Sequence, residues 1–221
     1  MGLGRTTTVI AALIALAAVA AESRAQPLFG ATVGISTQGA GDSDLPYLGP
    51  PFGGTSLTSV FMLDVPVGRT VSIGGEASLA AAISGQQSQR VGGFTSAQFR
   101  SRHHDTILSA DLKAGMPFTS RVRVAAVGGF GAAWRQTSRS GTVGQAFGST
   151  TTVPFNDQLT TVVPAALGGA DLSVRVAEKV SILAGGRLYY LFDDDRQEDG
   201  VVRRGISSIV ARVGAGVQIG F

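Results

Sequence analysis

Beyond residue 25, apolar and polar residues alternate with a period of two in eight successive stretches. In "FGATVGIS", Phe29, Ala31, Val33 and Ile35 take one side, and Gly30, Thr32, Gly34 and Ser36 the other. "LTSVFMLDV" sets Leu57, Phe61, Leu63 and Val65 against Thr58 and Asp64. "VSIGGEASLAAAI" sets Val71, Ile73, Ala77, Leu79, Ala81 and Ile83 against Ser72, Gly74, Glu76 and Ser78. The pattern returns in 106–116, 122–134, 161–176 and 180–192. It closes in "SSIVARVGAGVQIGF", where Ile209, Ala211, Val213, Ala215, Val217, Ile219 and Phe221 alternate with Val210, Arg212, Gly214, Gly216, Gln218 and Gly220. A period of two is that of a β-strand with one apolar face. Most of these strands exceed the usual globular length. They suit the ~9–11 tilted residues with which a strand crosses a bilayer.

The connections alternate in length. "PVGRT", "PFTSR" and "AEK" are short, whereas 37–55, 85–102, 138–157 and 193–204 are long. Long loops on one end and tight turns on the other are the habit of outer-membrane barrels, with the turns in the periplasm. With eight strands, both termini then fall on the periplasmic side. The expected fold is therefore all-β, an eight-stranded antiparallel up-and-down transmembrane β-barrel.

Charge decides which face is inside. One face is apolar along the full strand length. The other carries Asp64, Glu76, Asp111, Lys113, Arg123, Arg135, Asp171, Arg175, Arg187 and Arg212 among many Gly and Ser. Small residues and paired charges suit a narrow eight-strand lumen. A soluble lipocalin-like binder would invert the two faces. Trp134, Tyr190 and Phe192 fall beside long loops, and Phe29 and Phe221 at the opposite end, as two aromatic girdles would. Ten inward charges must pair, which fills the lumen and disfavours a wide pore.

Residues 1–25 read as a secretory signal peptide. Arg5 is the basic start, Val9 to Ala21 the apolar run, and Ser23, Arg24 and Ala25 a small-x-small cleavage site. Residues 26–221 form the barrel domain. Loss of Arg5, Arg24 and Glu22 takes the formal charge from +3 to +2. The bases are scattered without interleaved aromatics, so no nucleic-acid partner is expected. With no cysteine, neither a disulfide nor a thiolate metal site is available, and lipid anchoring is excluded.

These features together resemble the eight-stranded outer-membrane barrels of the OmpA/OmpX type, over Gln26 to Phe221. The resemblance implies that Val217, Ile219 and Phe221 act as the C-terminal signal read by the barrel-assembly machinery. It implies outer-membrane lipid and lipopolysaccharide as surroundings, and a monomer. The C-terminal peptidoglycan-binding domain of full-length OmpA is not expected.

Three motifs bear on chemistry. "RHHD", 102–105, holds the only two histidines; adjacent strand residues face opposite ways, so they cannot chelate one metal, and no hydrolase motif accompanies them. "DDDRQEDG", 193–200, lacks the ligand spacing of an EF-hand. "GAGVQIG", 214–220, has no helix after it to hold a phosphate, and its glycines fit a narrow barrel. No catalytic, cofactor or metal residue is expected. The expected function is a non-enzymatic integral outer-membrane protein of the envelope, presenting loops with Tyr47, Phe52, Phe94, Phe99, Phe147 and Phe155 to an unidentified extracellular partner. A narrow small-solute channel, a lipid A-modifying enzyme and a lipocalin-like binder are the alternatives.

Overall fold

A computed structural model describes residues 26–38, 54–91, 95–147, 149–192, 196–198, 201–203 and 208–221. The signal segment, most of the first long loop with Tyr47 and Phe52, Phe94, and most of the acidic tip 193–200 lie outside the described residues. The strands are β1 (Leu28–Gln38), β2 (Gly54–Pro66), β3 (Val71–Ala80), β4 (Ile83–Val91), β5 (Thr95–Pro117), β6 (Val122–Phe147), β7 (Ser149–Arg175), β8 (Val180–Leu191), β9 (Arg196–Glu198), β10 (Val201–Arg203) and β11 (Ser208–Gly220). The strands β9 and β10 form a separate small hairpin. The others close on themselves: β1 pairs with β2 and β11, and β5 receives both β3 and β4. With β3 and β4 counted as two segments of one stave, the barrel has eight antiparallel staves.

The register fixes its girth. Following paired residues once around, Leu28 leads through Asp64, Gly74, Asp111, Gly129, Leu167, Tyr189 and Val210 to Gln38, ten residues further along the same strand. Eight staves with this stagger tilt by about 40° and enclose a backbone radius of ~8 Å. A wall curved this tightly crowds inward Cβ atoms. Gly216 shows the need: a Cβ there would lie 2.7 Å from the Ala31 carbonyl carbon on the neighbouring strand.

Alternation sorts the faces as the sequence pattern requires. Val33, Ile35, Leu57, Phe61, Leu112, Phe130, Ile182, Leu188, Val213 and Val217 point outward and are exposed, while Asp64, Glu76, Asp111, Lys113, Arg187 and Arg212 point inward and are buried. An apolar exterior over a charged interior is the polarity of a barrel that spans a membrane. Trp134, Tyr190 and Phe192 project outward near the level where β7 and β8 stop pairing, and the last two meet edge to face at 4.7 Å. Phe29 and Phe221 stand at the other end, while Phe61 and Phe130 lie between, so outward aromatics are not confined to the two rims.

Two expectations change. The third stave is interrupted at Ala81 and Ala82: Leu79 pairs with Thr106 and Ile83 with His103, four steps against three. This is a β-bulge, which reverses the face of everything beyond it. Ile83 therefore turns inward beside Gly54, whereas strict alternation placed it on the lipid face. Secondly, 85–102 and 138–157 are largely not loops. There β4 pairs with β5 up to Val91 and Thr95, and β6 pairs with β7 up to Phe147 and Ser149. The alternation of apolar and polar residues fades in these segments, yet Thr, Ser, Gln and Val still suit a ladder.

The face assignment is open to a direct test. Val213 is 67% exposed and its neighbour Arg212 2%. Val213→Arg should cost roughly 2–4 kcal/mol if this side meets the hydrocarbon midplane. Urea titration in lipid vesicles measures it; an unchanged unfolding midpoint would mean that Val213 does not meet lipid.

Candidate functional site

The lumen gathers the chain's buried charge. Its hub is Arg187 on β8. Its Nε donates to Glu76 Oε2 at 2.8 Å, and Nη1 and Nη2 donate to Asp171 Oδ1 and Oδ2 at 2.6 and 3.0 Å. The flat guanidinium fork thus ties β3 and β7 across the lumen, a geometry an ammonium cannot reproduce. Lys113 extends the network: Nζ lies 2.9 Å from Asp64 Oδ2 and 3.4 Å from Asp171 Oδ2. Gln218 adds a donor to Asp64 at 3.3 Å. On the other side, Tyr189 donates its hydroxyl hydrogen to Glu76, and Arg212 donates to Ser78 and, at 3.3 Å, to Ser36. The Arg212 guanidinium also stands 5.3 Å from the Tyr189 ring centroid.

Asp111 is the exception. It is 4% exposed, and neither carboxylate oxygen has a hydrogen-bond donor. It faces Asp64 across Gly74, the middle residue of the paired triplet Asp64, Gly74 and Asp111. A Cβ on Gly74 would collide with Asp64 Oδ1 and lie 2.6 Å from Asp111 Oδ1. Any larger residue here would push one or both carboxyl groups aside.

A second polar cluster lies toward the long hairpins. His103 Nε2 is 3.0 Å from Asp105 Oδ1, and Nδ1 is 3.1 Å from Thr137 Oγ1. Arg135 approaches Asp105 at 3.6 Å and donates to Ser208 at 3.2 Å. With its amide turned to suit these partners, Gln38 donates to Asp105 and accepts from Arg135. His103 points inward and is buried, while His104 points the other way and lies 3.4 Å from Thr106 Oγ1. The alternation of strand side chains imposes this divergence.

Apolar side chains fill the space that the charges leave. Ile107, Val127, Ala133, Val163, Ala165, Leu167, Tyr189, Leu191 and Val210 form one buried inward cluster, and Val60, Met62 and Leu183 another. All of them occupy positions that alternation assigns to the polar, inward face, so the pattern gives their direction but not that they gather into apolar clusters there. His103 and Asp105, which do not figure among the ten expected lumen charges, are buried in the lumen as well. Of the ten charged residues assigned to the lumen, Asp64, Glu76, Asp111, Lys113, Arg135, Asp171, Arg187 and Arg212 are buried there. Arg123 instead lies at the mouth beside the short turns, its Nη2 donating to Thr70 O at 3.3 Å, and Arg175 is exposed on the same rim. Two small lumen cavities, of about 20 and 30 Å³, lie among these side chains. Each suits a water molecule or two. A larger concavity of about 780 Å³ lies at the outer wall, along Ala110, Leu112, Ala126, Gly128 and Phe130, where lipid chains would fill it.

No family model and no curated protein sequence matches the chain. Solved structures similar to it include Neisserial surface protein A, at 15% identity and a TM-score of 0.42, covering 88% of this chain and 97% of that one. A major outer membrane protein from Thermus thermophilus has 13% identity and a TM-score of 0.49, with 88% and 99% covered. The outer membrane protein OprG from Pseudomonas aeruginosa has 10% identity and a TM-score of 0.46, with 89% and 97% covered. By its own strand pairing, the chain has the closed eight-stave architecture of the OmpA/OmpX type.

The network predicts unequal costs for two of its charges. Arg187→Met leaves Glu76 and Asp171 without their shared cation and should destabilise the barrel by roughly 3–5 kcal/mol. Asp111→Asn removes a buried charge that no donor satisfies, so it should be neutral or stabilising. Unfolding midpoints in detergent micelles compare them. Equal losses from both substitutions would show that Asp111 is as firmly held as Arg187.

Proposed function

We propose that this protein is a non-enzymatic integral protein of the bacterial outer membrane, with a filled, non-conducting barrel that anchors an extracellular β-sheet and supports the envelope. One observation carries the reading: a packed lumen continues into a sheet that outruns the barrel. The last pair between β7 and β8 is Ala165 with Leu191, yet β7 continues against β6 for sixteen residues, from Pro164 back to Ser149. The strands β4, β5 and β6 continue with it. At ~3.3 Å per residue this sheet stands well beyond any membrane. Among the described residues, the outer edges of β4 and of β7 before Ala165 pair with no further strand, and they offer backbone groups to a partner in extended conformation.

The short turns, Pro27 and Phe221 lie at the opposite end, and by the habit of outer-membrane barrels this end is assigned to the periplasm. Residues 1–25 act as the export signal. Val217, Ile219 and Phe221 serve as the signal for the assembly machinery, and Phe221 also covers the periplasmic interface. The surroundings are outer-membrane lipid and lipopolysaccharide, the barrel is a monomer, and the outer partner is a macromolecule of undetermined kind.

Two measurements test this. Purified protein in planar bilayers should pass no stable single-channel current, and its expression should leave lipid A unchanged in mass. A large steady conductance or altered lipid A would replace the anchoring role with a channel or an enzyme. Deleting Phe221 should lower outer-membrane assembly in cells while refolding in detergent largely survives. Assembly of that variant at the normal rate and level would remove the role given to the terminal aromatic.

A further inference from the structure

The three short connections are built alike. In each, the amide of an apolar residue donates to the carbonyl of a valine four positions later: Val67 to Val71 and Val176 to Val180, both at 3.0 Å, and Phe118 to Val122 at 2.8 Å. Three residues therefore span each turn, and each trio holds a base: Arg69, Arg121 or Lys179. The leading apolar residues are open to the surroundings, Phe118 to 79%, the highest value among the exposed large apolar residues, with Val67 at 52% and Val176 at 57%. Met116 and Phe221 extend the same apolar band. Arg123 and Arg175 stand at the adjoining strand ends. Against these five bases the described turns set one acid, Glu178. Arg69, Arg121, Arg175 and Lys179 are exposed, and no ion pair to them occurs among the described residues.

We propose that this rim is a docking ring for the phosphate groups of anionic phospholipids in the leaflet it faces. The turns follow β2, β5 and β7, so they are spread around the barrel and do not form a single patch. A ring of this kind matches a surface that surrounds the protein on all sides. Each base also stands within a few residues of an exposed apolar side chain. A soluble acidic partner would gain little from those outward apolar groups. A leaflet supplies hydrocarbon and phosphate at adjacent depths, which is what each turn presents. Long basic side chains can keep their stems in the apolar layer while their charge reaches the headgroups.

The test uses the full mature barrel, refolded into vesicles of phosphatidylcholine alone or with about 30% phosphatidylglycerol. Both leaflets then have the same composition, so the direction of insertion does not matter. Heat-modifiability on gels first establishes folding. Phosphatidylglycerol should raise the urea midpoint, and about 0.5 M NaCl should remove most of the rise. The combined variant Arg69→Gln, Arg121→Gln, Arg175→Gln and Lys179→Gln should fold normally in phosphatidylcholine and lose the lipid-dependent rise, on the order of fivefold in the unfolding equilibrium per base. Glu178→Gln should enlarge the rise. An equal rise in the combined variant and the unaltered barrel overturns the proposal, as does a Glu178→Gln variant with no larger rise. Stabilisation in pure phosphatidylcholine by inorganic phosphate or polyglutamate, matching that by phosphatidylglycerol, overturns it in favour of a free anion or an acidic polypeptide.

Discussion

Closure of the sheet is the constraint from which the rest follows. In hydrocarbon, an unpaired peptide group costs several kcal/mol, so a strand that crosses a membrane must be paired on both sides. Here that requirement is met when β1 and β11 join along eleven residue pairs, from Leu28 with Gly220 to Gln38 with Val210. This also explains why the chain runs as regular strand to Gly220, with the Phe221 amide still donating to Pro27 at 3.1 Å. An open end at either strand would expose a row of donors and acceptors to lipid.

Closure with a ten-residue stagger leaves an interior only a few side chains wide, and the lumen chemistry is a consequence of that width. Charges held so close must find partners, and Arg187, Glu76, Asp171, Lys113 and Asp64 do so through one connected set of bonds. Buried ion pairs are not in themselves strong stabilisers, because desolvation offsets much of their attraction. Their greater effect is on specificity: Arg187 joins strands that are not neighbours, so a one-residue slip in register would turn it or its acids toward lipid. The apolar inward cluster around Ile107, Val163 and Leu167 has no such directional demand and fills volume where no charge lies.

Much of this architecture is legible from alternation alone. Arg212 beside Val213, or Asp111 between Ala110 and Leu112, can be assigned a face without any structure, since the cost of exposing such a charge to lipid far exceeds any local preference. Legibility fails where that cost disappears. Val163, Ala165 and Leu167 alternate onto the inward face with Asp171, yet nothing in the sequence shows that they pack there with Ile107, Tyr189 and Val210. The bulge at Ala81 and Ala82 sits in a run of three alanines, which look the same whichever way they turn. In 138–157 the apolar alternation fades although the strands stay paired. Pairing partners are beyond pattern reading for another reason: which carboxylate Arg187 holds depends on the stagger, and only the closed register sets it.

The bulge in the third stave bears on how the two halves of the molecule vary. Below it, every residue is locked to a face by the lipid on one side and the ion pairs on the other. Above it, Ile83 and the residues of β4 follow a phase of their own, already displaced by one position from the stave beneath. A hairpin attached through such a dislocation need not inherit the barrel's spacing. Insertions or deletions in β4, Ile83–Val91, can be absorbed at Ala81 and Ala82 without turning Glu76 or Ser78 toward the hydrocarbon. The membrane-embedded part is in this respect a fixed chassis with a slip joint, free to carry outer sheets of differing length and register.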